Sequence, residues 1–197
     1  ITDVVQDGTI INALQEETAT GDAHEGTLTS TENISPTLIH QEFIKTVGIF
    51  VNETLENLVT IATEVNLDAV QLHGDEDEAF IQSLKERTNV EVWKAVQIRS
   101  AADAEAWIDS SADMLLFDAY HKDERGGTGE VFDWSCLDEF ERPFMLAGGI
   151  DSTNVARAIR TVRPYGIDIS SGIETEGVKD DEKMKAFTNI VRTIALS

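Results

Sequence analysis

The sequence predicts an α/β barrel of minimal size, and three observations carry that reading. Apolar runs without alternation recur from residue 46 onward, each is followed by a segment with apolar residues at helical spacing, and the chain is 197 residues long. Runs that are apolar on both faces are parallel strands covered on their outer side by helices. Six such units are too many for a small open sheet, and a (β/α)8 barrel starts at about 200 residues. The chain therefore has room for a single TIM-barrel domain, residues 1–197, with few insertions.

Taken in order, the first 45 residues are the least regular. Val4, Val5, Ile11 and Leu14 fit a helix over 3–17, residues 36–44 fit another, and only 25–29 is a plausible strand between them. Counting that strand gives seven, so the barrel's first strand is expected to be missing from the front of the chain, which opens Ile1-Thr2-Asp3. From there the units repeat. Val47 to Val51 is a strand, followed by a helix through Leu55, Leu58, Val59, Ala62 and Val65. Ala69 to Leu72 precedes an acidic helix ending near Arg87, and Val92 to Ile98 precedes a helix with Ala102, Ala106 and Trp107. Met114 to Phe117 leads into a polar, glycine-containing loop over 119–133 and a short helix around Cys136 to Phe140. Phe144 to Ala147 is the next strand, after which Asp151 can cap a helix with Val155, Ile159 and Val162 on one face. Ile167 to Ser170 is the last strand, and Met184, Phe187, Val191 and Ile194 form the inner stripe of a C-terminal helix.

Charge narrows the partners. Against 15 basic residues stand 37 acidic ones, a formal net charge of -22, so the clusters of Lys and Arg that hold nucleic-acid phosphates or an anionic membrane are lacking. The acidic pieces, such as Asp75-Glu76-Asp77-Glu78 and Asp180-Asp181-Glu182, read as a solvated surface. Self-repulsion on this scale destabilises a compact chain unless counterions screen it, which predicts adaptation to high salt. No apolar run approaches the roughly 20 residues that span a bilayer, and nothing at the front has the pattern of a signal peptide. A soluble, cytoplasmic protein is the expectation. With one cysteine, Cys136, and no ligand spacing among His24, His40, His73 and His121, no disulfide and no metal are implied.

Two turns of small residues carry the chemistry. Ala147-Gly148-Gly149 and Ser170-Ser171-Gly172 each follow a buried strand. Backbone amides in such turns cradle a phosphate, with glycine letting the main chain approach; an ordinary tight turn is the plain alternative for either one alone. Asp118 ends the run Met114 to Phe117, which places a carboxyl at the barrel mouth where apolar neighbours can keep it protonated. A loop-capping aspartate fits the same position. Asp168 lies at that mouth as a substrate-positioning group or as an internal partner of a polar neighbour. Gln71 and His73 share strand parity and can both point inward, although a histidine there is as often structural as functional. Lys94 is either an interior lysine serving the site or a salt-bridged barrel residue.

The same residues carry a resemblance. Val47-Gly48-Ile49-Phe50-Val51-Asn52-Glu53, Ala69-Val70-Gln71-Leu72-His73-Gly74, Gly126-Gly127-Thr128-Gly129 with Phe132-Asp133-Trp134, Leu146-Ala147-Gly148-Gly149, and Asp168-Ile169-Ser170-Ser171-Gly172-Ile173-Glu174 resemble, in order, the phosphoribosylanthranilate isomerase family. The resemblance covers residues 46–197. It implies an isomerase of tryptophan biosynthesis that converts N-(5-phosphoribosyl)anthranilate to its 1-deoxyribulose product by an Amadori rearrangement. Its partner would be the phosphoribosyl substrate alone; one acid and one base suffice, so it implies no cofactor. Asp118 matches the general acid; Gly148, Gly149, Ser170, Ser171 and Gly172 match the phosphate site, with Asp168, Gln71 and His73 as further substrate contacts. A monomer is expected of so small a barrel.

Two departures stand out. The family's general base is a cysteine in a Lys-x-Cys-Gly-(Ile/Leu)-Thr stretch, and this chain opens at the Ile1-Thr2 that would close it. Cys136 cannot replace that base by position. The family also places an arginine ahead of an Ile-Ser-Pro or Val-Ser-Pro stretch to hold the anthranilate carboxylate, whereas Thr31-Glu32-Asn33 precedes Ile34-Ser35-Pro36 here. A missing front piece, an altered front segment, and a diverged, non-catalytic sugar-phosphate-binding barrel all fit these departures.

Overall fold

The computed structural model describes residues 2–6, 9–13, 45–119 and 133–195. Within them one curled sheet of eight strands runs in the order β1 (Thr2–Gln6), β2 (Thr9–Ala13), β8 (Gly166–Ile169), β7 (Phe144–Ala147), β6 (Met114–Ala119), β5 (Glu91–Ile98), β4 (Ala69–Leu72), β3 (Val47–Phe50). From β3 to β8 every neighbouring pair is parallel, with Gln71 beside Trp93, Gln97 beside Asp118 and Asp118 beside Ala147. Residues of β1 come within 8 Å of β3, so the sheet's two ends approach each other.

All six strands expected after residue 46 are present. Helices α1 (Leu55–Val65), α2 (Glu78–Arg87), α3 (Ala101–Glu105), α4 (Val155–Val162) and α5 (Asp181–Ala195) follow them. Local chemistry fixes their ends. The Thr54 hydroxyl accepts from the Asn57 N–H, Asp77 accepts from the Phe80 N–H at 2.9 Å, and Asp103 closes a capping box with Ser100. Asn66, with φ of 57°, ends α1 in the left-handed region.

Several expectations need correction. The helix expected over 3–17 is absent where described: Thr2–Gln6 and Thr9–Ala13 form an antiparallel hairpin, and β2 also runs antiparallel to β8. Val4, Val5, Ile10 and Ile11 are β-branched and favour strands, and the Asp7-Gly8 dipeptide between them is a hairpin signal in the sequence. Helix α3 stops at Glu105, so Ala106 is its cap and Trp107 lies beyond it. Asp151 caps the turn before α4 by accepting from Thr153 and Asn154 N–H groups, and the helix starts at Val155. Residues 134–137 form a 3-10 turn. The strand expected over 25–29, the helix over 36–44, Glu32 and the Gly126–Gly129 loop lie outside the described residues.

Two apolar layers position everything else. Val47, Ala69, Trp93, Ala95, Leu116, Met145 and Ala147 fill the inner face of the curled sheet. The opposite strand faces, including Val70, Leu72, Val96, Leu115, Phe117 and Leu146, pack under the helices with Leu58, Ile81, Ile159 and Phe187. Parity along each strand therefore decides whether a residue meets the barrel interior or the helix layer.

Candidate active site

Extending the inner face toward the strands' C-terminal ends brings four polar side chains together. Gln71 and His73 continue the parity of Ala69, Asp118 that of Leu116, and Asp168 that of Gly166. The Gln71 Nε2 lies 3.1 Å from His73 Nδ1, and His73 Nε2 lies 3.9 Å from Asp118 Oδ2. His73 and Asp118 are about one-third exposed at the rim, at 34% and 30% of their side chains. Gln71 has no exposed surface. Its amide contacts the half-buried His73 ring.

Asp168 is the electrostatic anomaly. Burial, with the nearby Asp118 charge adding to it and Lys179 opposing, pushes its carboxyl up to about 6. Its Oδ1 is buried and has no hydrogen-bond partner among the described residues, as is Gln71 Oε1. Buried polar atoms are normally paired, so two such atoms on one inner face mark a place built for something other than packing.

Next to Asp168 and Asp118 the two small-residue turns meet. Gly148 and Gly149 have φ of 85° and 59°, a region open to glycine. Gly172 sits so close beneath the preceding loop that a Cβ there would lie 2.1 Å from the Ile150 carbonyl oxygen. Asn154 fastens the first turn by donating to the Gly149 carbonyl at 2.8 Å. Lys179, on the hairpin β9 (Glu174–Thr175) and β10 (Val178–Lys179), fastens the second: its Nζ donates to the Ser170 carbonyl and hydroxyl, both at 3.0 Å, and to Glu174 at 2.8 Å. Among the described residues the N–H groups of Gly148, Gly149, Ser171 and Gly172 donate to no protein acceptor. Two abutting turns thus offer main-chain donors to an anion.

Lys94 belongs to the other face. It is buried with Glu76 in a salt bridge of 3.1 Å, donates to the Gly74 carbonyl at 2.6 Å and stands 5.7 Å from the centre of the Trp107 ring. Glu76 also accepts from the Asn52 N–H at 2.7 Å and the Gly74 N–H at 2.9 Å. Burial opposes its charge, yet these N–H groups and Lys94 hold its carboxyl below the usual range. Glu76 therefore departs from the solvated surface expected of Asp75-Glu76-Asp77-Glu78, a departure that its bonds to the Asn52 and Gly74 N–H groups and to Lys94 explain. Cys136 packs against the helix-layer core, and burial, with Asp133 adding to it, pushes its thiol up. It faces away from the rim.

Comparison with known proteins agrees with this geometry. The family model described as N-(5'phosphoribosyl)anthranilate (PRA) isomerase matches residues 3–190. The chain is 48% identical over 153 residues to an N-(5'-phosphoribosyl)anthranilate isomerase of Thermoanaerobacter sp. (strain X514), covering 77% of this chain and 74% of that one. It is similar to the crystal structure of phosphoribosyl anthranilate isomerase from Thermotoga maritima, with 36% identity, a TM-score of 0.67, and coverage of 77% and 74%. A phosphoribosyl anthranilate isomerase solved in complex with reduced 1-(o-carboxyphenylamino)-1-deoxyribulose 5-phosphate is similar at 34% identity and a TM-score of 0.64, over 77% of this chain and 73% of that one.

Proposed function

This chain belongs to the N-(5'-phosphoribosyl)anthranilate isomerase family, and we propose that Asp118 is its general acid and that the paired turns after β7 and β8 hold the substrate's phosphate. The activity is the family's isomerisation, the Amadori rearrangement of N-(5-phosphoribosyl)anthranilate in tryptophan biosynthesis. Opening the furanose ring needs a proton on the ring oxygen as the bond to C1 breaks. Asp118 ends β6 at the rim, beside Ala147 in register and so one residue from the Gly148 turn. A phosphate held by Gly148, Gly149, Ser171 and Gly172 N–H groups, with the Ser170 hydroxyl nearby, would set the sugar within reach of that carboxyl. Asp168 and His73 face the same space and fit contacts to the sugar hydroxyls.

The observation that carries the reading is the set of four main-chain donors, without an acceptor among the described residues, in two turns packed backbone to backbone. In a chain of charge -22, neutral amides bind a dianion without adding cations. Inorganic phosphate should therefore inhibit turnover competitively, and replacing Gly149 by alanine should weaken that inhibition about tenfold, because φ of 59° is costly for a side chain. Inhibition unchanged in that variant would move the phosphate elsewhere.

On the same reading the protein is a single-domain, cytoplasmic monomer adapted to high salt. The acidic excess supports the last point. Raising potassium chloride from dilute to molar should raise the unfolding temperature; an unchanged midpoint in a thermal melt would remove it.

A further inference from the structure

We propose that Gln71 is a positioning residue that holds His73 as the tautomer with its proton on Nε2, so that the imidazole presents a donor, and never a lone pair, to Asp118. The inference rests on Asp118 being the acid, and it adds a residue that touches neither substrate nor the reacting atoms.

The argument starts from a cost. A glutamine with no exposed surface inside a barrel loses the water that its amide would otherwise bind, and hydrogen bonds must replace it. Among the described residues its partner is the His73 Nδ1, 3.1 Å from the amide Nε2. In this orientation the buried Oε1 and one of the two amide hydrogens are left over. The flipped amide would instead leave an NH2 group with both hydrogens unpaired, and orphaned donors are costlier than an under-used carbonyl. The amide therefore donates, and Nδ1 is the acceptor. A neutral imidazole whose Nδ1 accepts carries its proton on Nε2.

That nitrogen faces Asp118 Oδ2 at 3.9 Å. The separation is too long for a hydrogen bond, but contacts of this kind commonly tighten when substrate binds. A donor at that point has two effects on a general acid. It cannot take the proton that Asp118 must deliver to the ring oxygen, because its own site is already filled. After delivery it stabilises the carboxylate left behind. A lone pair there would compete for the proton before the substrate received it.

The test reads the tautomer directly. In protein labelled with 15N-histidine, in molar salt and above neutral pH, long-range nitrogen–proton correlation should show His73 with an unprotonated Nδ1 and a protonated Nε2, the signals being identified by their loss in a His73→Asn variant. Gln71→Leu should show a mixture of tautomers and lower kcat about tenfold, the value of one hydrogen bond, with KM little changed. Gln71→Glu, which keeps the shape, should invert the tautomer, because its carboxylate accepts from Nδ1, and lower kcat further. A wild-type spectrum with the proton on Nδ1 overturns the proposal, whatever the variants do. So does a Gln71→Glu protein that keeps both tautomer and kcat, a result that holds even if the leucine variant does not fold. Because the spectrum needs no turnover, full activity in Asp118→Asn would unseat the acid and leave the tautomer standing.

Discussion

The curled sheet carries two buried polar constellations on opposite faces, and the two are finished differently. On the helix side Lys94 and Glu76 satisfy each other and the backbone around them: the ammonium has a carboxylate, a carbonyl and an aromatic face, and the carboxylate has two N–H groups besides. On the barrel side Gln71 Oε1 and Asp168 Oδ1 are buried with no partner among the described residues, and Asp168 is pushed up to about 6. Burying a charge is tolerable when its bonds are complete. Leaving polar atoms incomplete costs free energy, which a fold retains where the atoms have work to do. Between these two constellations the difference lies in completeness of the hydrogen bonds rather than in burial or charge, although Ser111 Oγ and Trp134 Nε1 are also without a partner among the described residues, away from the rim.

The comparison predicts contrasting outcomes for substitutions on the two faces. Asp118→Asn should reduce kcat by about 10²–10⁴-fold, the usual share of a general acid, while its unfolding midpoint stays near that of the parent. Lys94→Met should do the reverse: it strands a buried carboxylate and should cost about 3–5 kcal/mol in chemical denaturation, with the surviving folded fraction still active. Adding Glu76→Gln should recover much of that loss. A Lys94→Met protein that is stable but inactive would erase the distinction between the faces.

Asp168→Asn tests the barrel side by pH. A carboxyl raised in the folded state binds its proton more tightly there than in the unfolded chain, so the stability it contributes is full below about 4 and is lost as pH rises through about 6. Removing the charge should leave stability unchanged below pH of about 4 and raise it by up to about 3 kcal/mol above pH of about 6. Denaturant midpoints across that window check the sign. Activity should fall in the same variant, since the group faces the substrate space. The smallest effect is expected from Gly172→Ala, where the added methyl meets the Ile150 carbonyl and must spread the two turns. A cost of about 1–3 kcal/mol and a rise in KM with kcat nearly intact would tie that contact to binding.

Much of this was legible beforehand, and the reasons differ by region. The six parallel strands announce themselves because both of their faces are apolar, and their parity then sorts His73, Asp118 and Asp168 to the inside. The two small-residue turns are readable because Gly148 and Gly149 adopt backbone angles other residues avoid and Gly172 sits where a Cβ has no room. The hairpin over 2–13 is misread because Val4, Val5, Ile10 and Ile11 sit at spacings that serve a helix as well as a strand, and pairing with β8 decided the matter. Glu76 hides in a run of four acidic residues; its contacts with Lys94, 18 positions away, and with the Asn52 N–H mark it as different. The incomplete bonds at Gln71 and Asp168 have no signature in the sequence at all, since they depend on what the neighbouring strands fail to supply.

Glu76 has one more consequence. Its carboxylate ties the Asn52 N–H just past β3, the Gly74 N–H just past β4 and the Lys94 ammonium on β5, so a single side chain works as a buckle across three adjacent staves. The aperture on that flank is set before any ligand arrives. Removing that one side chain would loosen three strand ends at once.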